Sequence, residues 1–341
     1  MVLPVIDEAE ALGALIADLH AQRGVRLQIV VADGGSTDTS RERASAAGAT
    51  VIESPAGRGV QMNAGAAVAT SDWLCFLHAD SRLTRTDQLA GAIRQLMAAG
   101  AADSAGHFPL RFSGCGNRRG FFYRYLEAKT ASGRRHTING DQGLVLHRDL
   151  FAAIGGFDTG MAFLEDQRMA AAIEGRGRWL LLEHELVTSA RRFRREGEYS
   201  RYLLMALIMA MHLARVPAFF EQAPAVYSRQ RDTRRLALMP YFRLLRELMR
   251  RCGARASIRV CWRMAGIALA ESWQPFLAVD VALAPVLGAR RRVFLGLHDR
   301  WLRPLIVHVP GQALLMLILA MLIFGPLQLG CWLRERVRPF E

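Results

Sequence analysis

The chain of 341 residues is 51% hydrophobic and 22% charged, which excludes a disordered or low-complexity protein and leaves room for two units of ordinary domain size. Residues 1–200 hold 23 Lys+Arg and 23 Asp+Glu, whereas residues 201–341 hold 21 and 8, so the whole formal charge of +13 belongs to the second part. Five cysteines, odd in number and without a C-x-x-C pair, exclude a disulfide framework and a zinc site and fit a reducing compartment.

The N-terminus carries neither a basic n-region nor a long apolar stretch, so no cleaved secretory signal is visible. Val2–Ile6 is a short apolar run and predicts a strand. Leu12, Leu15, Ile16 and Leu19 then repeat at i, i+3, i+4, i+7, the stripe of an amphipathic helix. Leu27–Ala32 predicts a second strand, stopped by Asp33-Gly34-Gly35-Ser36-Thr37-Asp38. Ala49–Glu53 predicts a third, and Trp73–His78 a fourth, stopped at Ala79-Asp80. The runs are continuous rather than alternating, as in strands covered on both faces. Strand and helix in alternation predict an open, mostly parallel α/β sheet.

Ligands of such sheets bind beyond the carboxyl ends of the strands. The residues there are Asp7 and Glu8, then Asp33 and Asp38, then His78 and Asp80. Taken singly, each also reads as ordinary turn or cap chemistry. Together, three strand ends place acidic groups along one edge.

The ordered blocks resemble a family-2 glycosyltransferase of the GT-A fold. They are Pro4-Val5-Ile6-Asp7-Glu8, the D-G-G-S-T-D turn at 33–38, Arg58-Gly59-Val60-Gln61-Met62-Asn63-Ala64-Gly65, His78-Ala79-Asp80-Ser81, Asn139-Gly140-Asp141-Gln142-Gly143, Gly155-Gly156-Phe157, Glu165-Asp166 and Thr188-Ser189-Ala190-Arg191-Arg192-Phe193. The D-G-G-S-T-D, H-A-D, G-D-Q and T-S-x-R-R set is similar to the bacterial subgroup of radical-SAM/selenodomain-associated transferases. The match extends to about Tyr227. Two departures stand out: Asp7 where the family carries asparagine, and H-A-D where it usually carries D-x-D. The opening strand is clipped, as if the true start lay a few residues upstream.

The resemblance implies a nucleotide-sugar donor, UDP- or GDP-linked, contacted by Pro4, Asp7, Glu8, Asp33, Gly34, Asp38, Arg58, Asn63 and Asp80. A carboxylate such as Asp33 suits the N–H edge of uracil or guanine, and Gly34 admits close backbone approach. Asp80 is the implied ligand of Mg²⁺ or Mn²⁺, which accept one or two carboxylates with phosphates and water completing the shell. His78 is a further ligand or a structural histidine. Gly140, Asp141 and Gln142 are implied at the acceptor or donor sugar, and Arg191 and Arg192 at the diphosphate, where guanidinium geometry matches phosphate oxygens. Glu165 and Asp166 open a helix, where acids also simply favour the dipole. The second acid of this pair is the implied general base, so Asp166 is the choice, with inversion of the sugar.

Residues 229–263 interleave eleven arginines with Leu, Met, Phe and Tyr, as in helices lying on an anionic membrane. No nucleic-acid-binding module accompanies this charge. Leu305–Leu333 contains no Asp, Glu, Lys or Arg, and 312–333 within it is long enough to cross a bilayer, with Gly325-Pro326 as a kink or stop. Ser272–Ala289 is a weaker partner because Asp280 interrupts it and a hairpin would translocate the basic loop that follows.

The resulting expectation is a catalytic domain at 1–228 and a basic helical extension at 229–341 that holds the enzyme, anchored or peripheral, at the cytoplasmic face of the cell membrane. A lipid or membrane-bound acceptor follows from that address. The rival readings are a nucleotidyltransferase on a related fold, which would release pyrophosphate, and a catalytically idle nucleotide-binding adaptor.

Overall fold

The computed structural model describes residues 1–116, 120–160, 163–228, 230, 235–288 and 291–337. They fall into two compact units, one of residues 1–119 and 126–190, the other of residues 120–125 and 191–341.

The first unit carries the strands β1 (Val2–Val5), β2 (Val30–Asp33), β3 (Thr50–Glu53), β4 (Trp73–Phe76), β5 (Arg82–Leu83), β6 (Ser104–His107), β7 (Leu110–Ser113), β8 (Leu144–His147), β9 (Arg178–Leu181) and β10 (Leu186–Ser189). Seven form one sheet in the order β3-β2-β1-β4-β8-β6-β9, and β5-β10-β7 form a second. In the large sheet β8 alone runs against its neighbours. The open, mostly parallel α/β sheet expected from the sequence is therefore present.

Helices α1 (Ala9–His20), α2 (Ser40–Ala46), α3 (Arg58–Val68) and α4 (Gln88–Ala99) follow in chain order. The apolar stripe of α1 is buried with Leu3, Val5, Val31 and Leu96 on one face of the sheet. On the other face Val2, Leu74, Phe76, Leu144 and Leu146 meet Met62 and Ala66 of α3. Alternate residues of one strand thus enter opposite cores, which is why the runs read as continuous. Each fully buried Leu or Ile contributes about 1.5–3 kcal/mol. Gly65 lets α3 lie on β1, since a Cβ there would sit 2.3 Å from Val2 Cγ1.

All five cysteines are free, and burial pushes the Cys75 thiol up to about 12, so it is inert filler.

Helix α5 (Phe121–Thr130) begins among the residues of the second unit, while α6 (Arg148–Ala153) and α7 (Glu165–Glu174) belong to the first. The second unit is helical: α8 (Arg191–Glu196), α9 (Glu198–Leu213), α10 (Pro217–Ser228), α11 (Met239–Ala270), α12 (Gln274–Leu287), α13 (Val293–Leu297), a π-helical turn at His298–Leu302, α14 (Arg303–Ile306), α15 (Val309–Phe324) and α16 (Pro326–Val337). Residues 191–228, grouped by the sequence reading with the catalytic domain, pack here through α9 and α10 onto α11. Arg229, Arg231 and Arg234 of the basic stretch lie outside the described residues.

Among the described residues two stretches, Met239–Leu287 and Val309–Arg336, are long and apolar enough to cross a membrane. Neither is one straight helix. Gly253 breaks α11 with φ 76° and ψ 170°, a conformation natural to glycine, and Gly325 separates α15 from α16. The anchor expected as one helix at 312–333 is thus two. Asp280, the charge that counted against Ser272–Ala289, is buried and caps α13 by accepting the Phe294 and Leu295 N–H groups at 2.9 Å each.

Candidate active site

The register of the sheet brings the acidic turns together. Val5 of β1 lies beside Asp33 of β2, and Asp33 beside Glu53 of β3, so the carboxyl ends are level. Pro4 sits inside β1, paired with Ala32. Asp7 adopts φ 52°, a left-handed conformation that aspartate tolerates better than most residues. Its Oδ1 accepts the Thr37 N–H at 2.7 Å, the Thr37 hydroxyl at 3.1 Å and the Asp38 N–H at 3.2 Å. Asp38 in turn accepts the Ala9 N–H at 3.1 Å, and the Ser40 hydroxyl donates to Asp38 while accepting the Glu8 N–H at 3.0 Å. The Ser40 hydrogen bond, ahead of other contacts, holds the Asp38 carboxyl below its usual range.

Asp33 is buried, and its carboxylate accepts from the Gly35 N–H at 3.0 Å, the Ser36 N–H at 3.0 Å and the Ser36 hydroxyl. Those contacts are all internal to the D-G-G-S turn. Gly34 is required by packing, since a Cβ would meet Ile6 and Gln61 within 3 Å. Gln61 ties the two strand ends by donating to the carbonyls of Val5 at 2.9 Å and Ala32 at 2.8 Å.

A pocket opens beside this edge, lined by Arg58, His78, Asn139, Gly140, Glu165 and Asp166 over an apolar floor of Phe76, Leu144, Phe157, Met169 and Trp179. Leu164, with φ 66°, turns the chain sharply into α7 and aims its first residues at the pocket. A left-handed leucine costs of order 1–3 kcal/mol, so the surrounding packing over-determines this turn.

Buried Glu165 pairs with Arg58, Nη1 to Oε1 2.9 Å. Although burial disfavours the Arg58 charge, Glu165, then Asp141 and Asp166, hold its pKa above the ordinary value. Asp166 accepts the Gly140 N–H at 2.7 Å through Oδ2 and the Gln167 N–H at 2.7 Å through Oδ1. Burial first, and the neighbouring Glu165 charge second, raise the Asp166 carboxyl above its usual range, against the opposing pull of the Gly140 N–H and Arg58. Two adjacent carboxylates are thereby separated: one is neutralised by an ion pair, the other holds a proton more readily.

His78 Nδ1 lies 2.8 Å from Asp141 Oδ1. That leaves Nε2, which faces Gly140 so closely that a Cβ there would be 3.1 Å away. Among the described residues no three His, Cys, Asp or Glu side chains converge as a metal cage. Mg²⁺ and Mn²⁺ do not require one, because substrate phosphates and water fill most of the shell. The half-buried carboxylate of Asp80, on the loop after β4, fits such an ion by its hard oxygen donors.

Other expected residues have different partners. The Asn63 side chain clamps the backbone of Phe157 at both ends, donating to its carbonyl at 2.8 Å and accepting its N–H at 2.9 Å. Gln142 is fully buried, and its Nε2 donates to His107 Nδ1 at 2.8 Å. Arg191 and Arg192 open α8 in the second unit. Sequence reasoning did not single out the Arg58–Glu165 pair or the Leu164 turn; the R-G-x-Q-x-N block carried no local sign of its partner 107 positions away.

Burial lowers the His107 imidazole to about 4. Because the folded pKa lies below the unfolded one, this group stabilises the first unit fully above about pH 6.5 and loses that contribution as pH falls toward 4. Urea midpoints recorded over that range should reveal a loss of about 3 kcal/mol, absent from His107→Gln. Coincident pH profiles for the two proteins would remove His107 as the cause.

Residues 1–154 match the family model described as glycosyl transferase family 2. A search of curated proteins gave no match. Among solved structures, the chain is similar to the mannosyltransferase PcManGT from Pyrobaculum calidifontis in complex with GDP-Man and Mn²⁺, at 19% identity over 95% of this chain and 86% of that one, with a TM-score of 0.48. It is also similar to S. aureus TarS 1–349 in complex with UDP, at 13% identity, 88% and 90% coverage and a TM-score of 0.47. Glucosyl-3-phosphoglycerate synthase from Mycobacterium tuberculosis, in complex with Mn²⁺, UDP and glucosyl-3-phosphoglycerate, follows at 16% identity, 55% and 68% coverage and a TM-score of 0.40. The family match takes in the turns of Asp7, Asp33 and Asp80 and the G-D-Q segment, so the chain carries, at residues 1–154, a domain that matches glycosyl transferase family 2.

Proposed function

We propose that the protein transfers a sugar, with inversion, from a UDP- or GDP-sugar to a hydroxyl of a lipid-linked or membrane-bound acceptor at the cytoplasmic face of the cell membrane. The observation that carries this reading is the pair Glu165 and Asp166, in which Arg58 neutralises the first while burial and the adjacent charge raise the proton affinity of the second. A carboxylate tuned upward is suited to take a proton near neutral pH. Asp166 would accept the acceptor hydroxyl's proton as its oxygen attacks the anomeric carbon from the face opposite the diphosphate.

The other residues prepare that step. The D-G-G-S-T-D turn, bound to Asp7 and to the start of α1, offers a rigid ledge for the nucleoside. Gly140 holds Asp166 by its N–H, and the ion pair of Arg58 keeps the first turn of α7 in place. Asp80 would hold Mg²⁺ or Mn²⁺, whose chemistry when bound is that of a Lewis acid toward the departing diphosphate. Grouping with the radical-SAM/selenodomain-associated subgroup rests on the motif set. The membrane address rests on the two apolar stretches and the basic second unit.

A thermal-shift panel of nucleotide sugars with and without Mn²⁺ tests the reading, because a ligand of the native state raises its apparent stability. One nucleotide series should raise the melting temperature with Mn²⁺, and turnover with that donor should release a nucleoside diphosphate. Release of pyrophosphate instead would identify nucleotidyl transfer and overturn the proposal.

A further inference from the structure

Within the second unit, α15 and α16 run antiparallel to α11 along its length. Gln312 Nε2 donates to the Trp262 carbonyl at 2.8 Å, the Arg246 guanidinium meets Gln328, and Glu335 accepts the Leu238 and Met239 N–H groups at 2.8 and 3.1 Å. Whatever depth α15 and α16 occupy in a membrane, α11 must share. The stretch of α11 between those contacts carries Arg243, Arg246, Arg250, Arg251, Arg255 and Arg259, all exposed. Arginines near a helix end can reach the headgroups, but those beside Gly253 would lie at the middle of a span, where the charge is strongly disfavoured.

Helix α15 has 16 residues, about 24 Å long, and α16 continues past Gly325 along α11. Of the exposed side chains of α15, Leu314, Leu317, Ile318, Met321 and Leu322 recur at i, i+3, i+4, i+7 and i+8 and form one apolar face, with Val309 and Phe324 exposed at its two ends. The opposite face packs on α11. The Asp280 cap folds α12 back toward α13, which Arg291 and Arg292 immediately precede, charges unsuited to hydrocarbon. Exposed Trp301 lies under the Arg300 guanidinium, 5.4 Å from ring centroid to Cζ, the pairing of an interfacial belt.

We propose that the second unit lies within one leaflet of an anionic phospholipid bilayer and does not cross it, with α15 set among the acyl chains and the arginines of α11 at the headgroups. This deepens, and rests on, the membrane address proposed above. Cationic charge of the unit and anionic lipid are complementary, and an interfacial arginine is worth about five-fold in partitioning.

The test uses the full chain. Protease-cleavable tags placed directly after Gly288 and after Glu341 are probed in sealed membrane vesicles of both orientations. Both tags should be cut only from the face on which residues 1–190 are accessible. In parallel, purified protein is mixed with vesicles of two parts phosphatidylcholine to one part phosphatidylglycerol. The combined substitutions Arg243→Gln, Arg255→Gln and Arg259→Gln should lower partitioning about 100-fold, with an unchanged far-ultraviolet spectrum. A tag cut from the opposite face overturns the in-plane proposal while leaving the membrane address standing. Undiminished partitioning of the triple variant overturns the headgroup placement of α11. Failure of the unmodified chain to join either native membranes or the vesicles overturns the membrane address itself, and the in-plane proposal with it.

Discussion

Asp166→Asn is expected to lower turnover by about 10²–10⁴-fold while nucleotide-sugar affinity changes little, the usual worth of a positioned general base. The substitution keeps the shape of the side chain. Asparagine retains one carbonyl oxygen, so one of the two N–H groups that Asp166 now accepts, from Gly140 or Gln167, loses its partner. That costs about 1–3 kcal/mol, too little to unfold the domain. Asparagine also serves a helix start about as well as aspartate, so a merely structural Asp166 would tolerate the change.

The pH profile separates these cases further. A base must be unprotonated, so wild-type turnover should rise with pH through a pKa above the usual carboxylate range. That acid limb should disappear in Asp166→Asn. Near-normal turnover in the folded variant would take Asp166 out of the mechanism and make Glu165 or Asp141 the next base to examine. Glu165 has a distinguishable signature, because Glu165→Gln breaks the ion pair with Arg58 and should register first in stability.

Asp80→Ala is expected to remove the Mn²⁺-dependent part of the donor's thermal shift and to lower turnover by at least about 10²-fold, since an electrophilic ion at a leaving group is worth several kcal/mol. Thermal shift reads donor binding without any turnover, so the two effects can be compared. They should fall together. A variant that keeps its full Mn²⁺-dependent shift would show that Asp80 is no ligand and that the H-A-D turn serves another end. His78 provides the contrast. Its Nδ1 is engaged by Asp141, and Nε2 faces Gly140, so His78→Gln should disturb the pocket wall more than the Mn²⁺ dependence.

Much of the first unit could be read locally. The apolar stripe of α1 and the strand runs are short-range patterns, and each ends within a few residues of its expected place: Leu27–Ala32 becomes Val30–Asp33, and Trp73–His78 becomes Trp73–Phe76. At β4 the chain that bends away toward His78 and Asp80 stops pairing with its neighbour while remaining apolar in sequence, whereas β2 is shortened at its start, on the side away from the D-G-G-S-T-D turn. The D-G-G-S-T-D turn was legible for the same reason, since aspartate, glycine and serine carry their turn chemistry within three or four positions.

The roles inside the site were less legible. Asp33 and Asn63 read alike as donor contacts, yet one carboxylate is occupied by its own turn and the other side chain by the backbone of Phe157. The commitment of Asp33 is local turn chemistry, whereas that of Asn63, to a backbone 94 positions away, has no local signature. Helical packing in the second part posed a similar difficulty: an uncharged run of 29 residues, Leu305–Leu333, passes every compositional test for a span. The arginine-bearing helix that packs beside it is separated from it in sequence.

By itself the sequence determined the first four strands and α1, the acidic turns at the strand ends and the concentration of positive charge after residue 200, because each depends on residues within a few positions of one another. Only the tertiary structure decided that Arg58 neutralises Glu165, that Gly140 holds Asp166, that Asp141 occupies one nitrogen of His78, and that α11 accompanies α15 and α16. Those facts depend on charge and hydrogen-bonding groups brought together from distant parts of the chain, and a carboxylate's proton affinity is set by what surrounds it in space rather than by what precedes it in sequence.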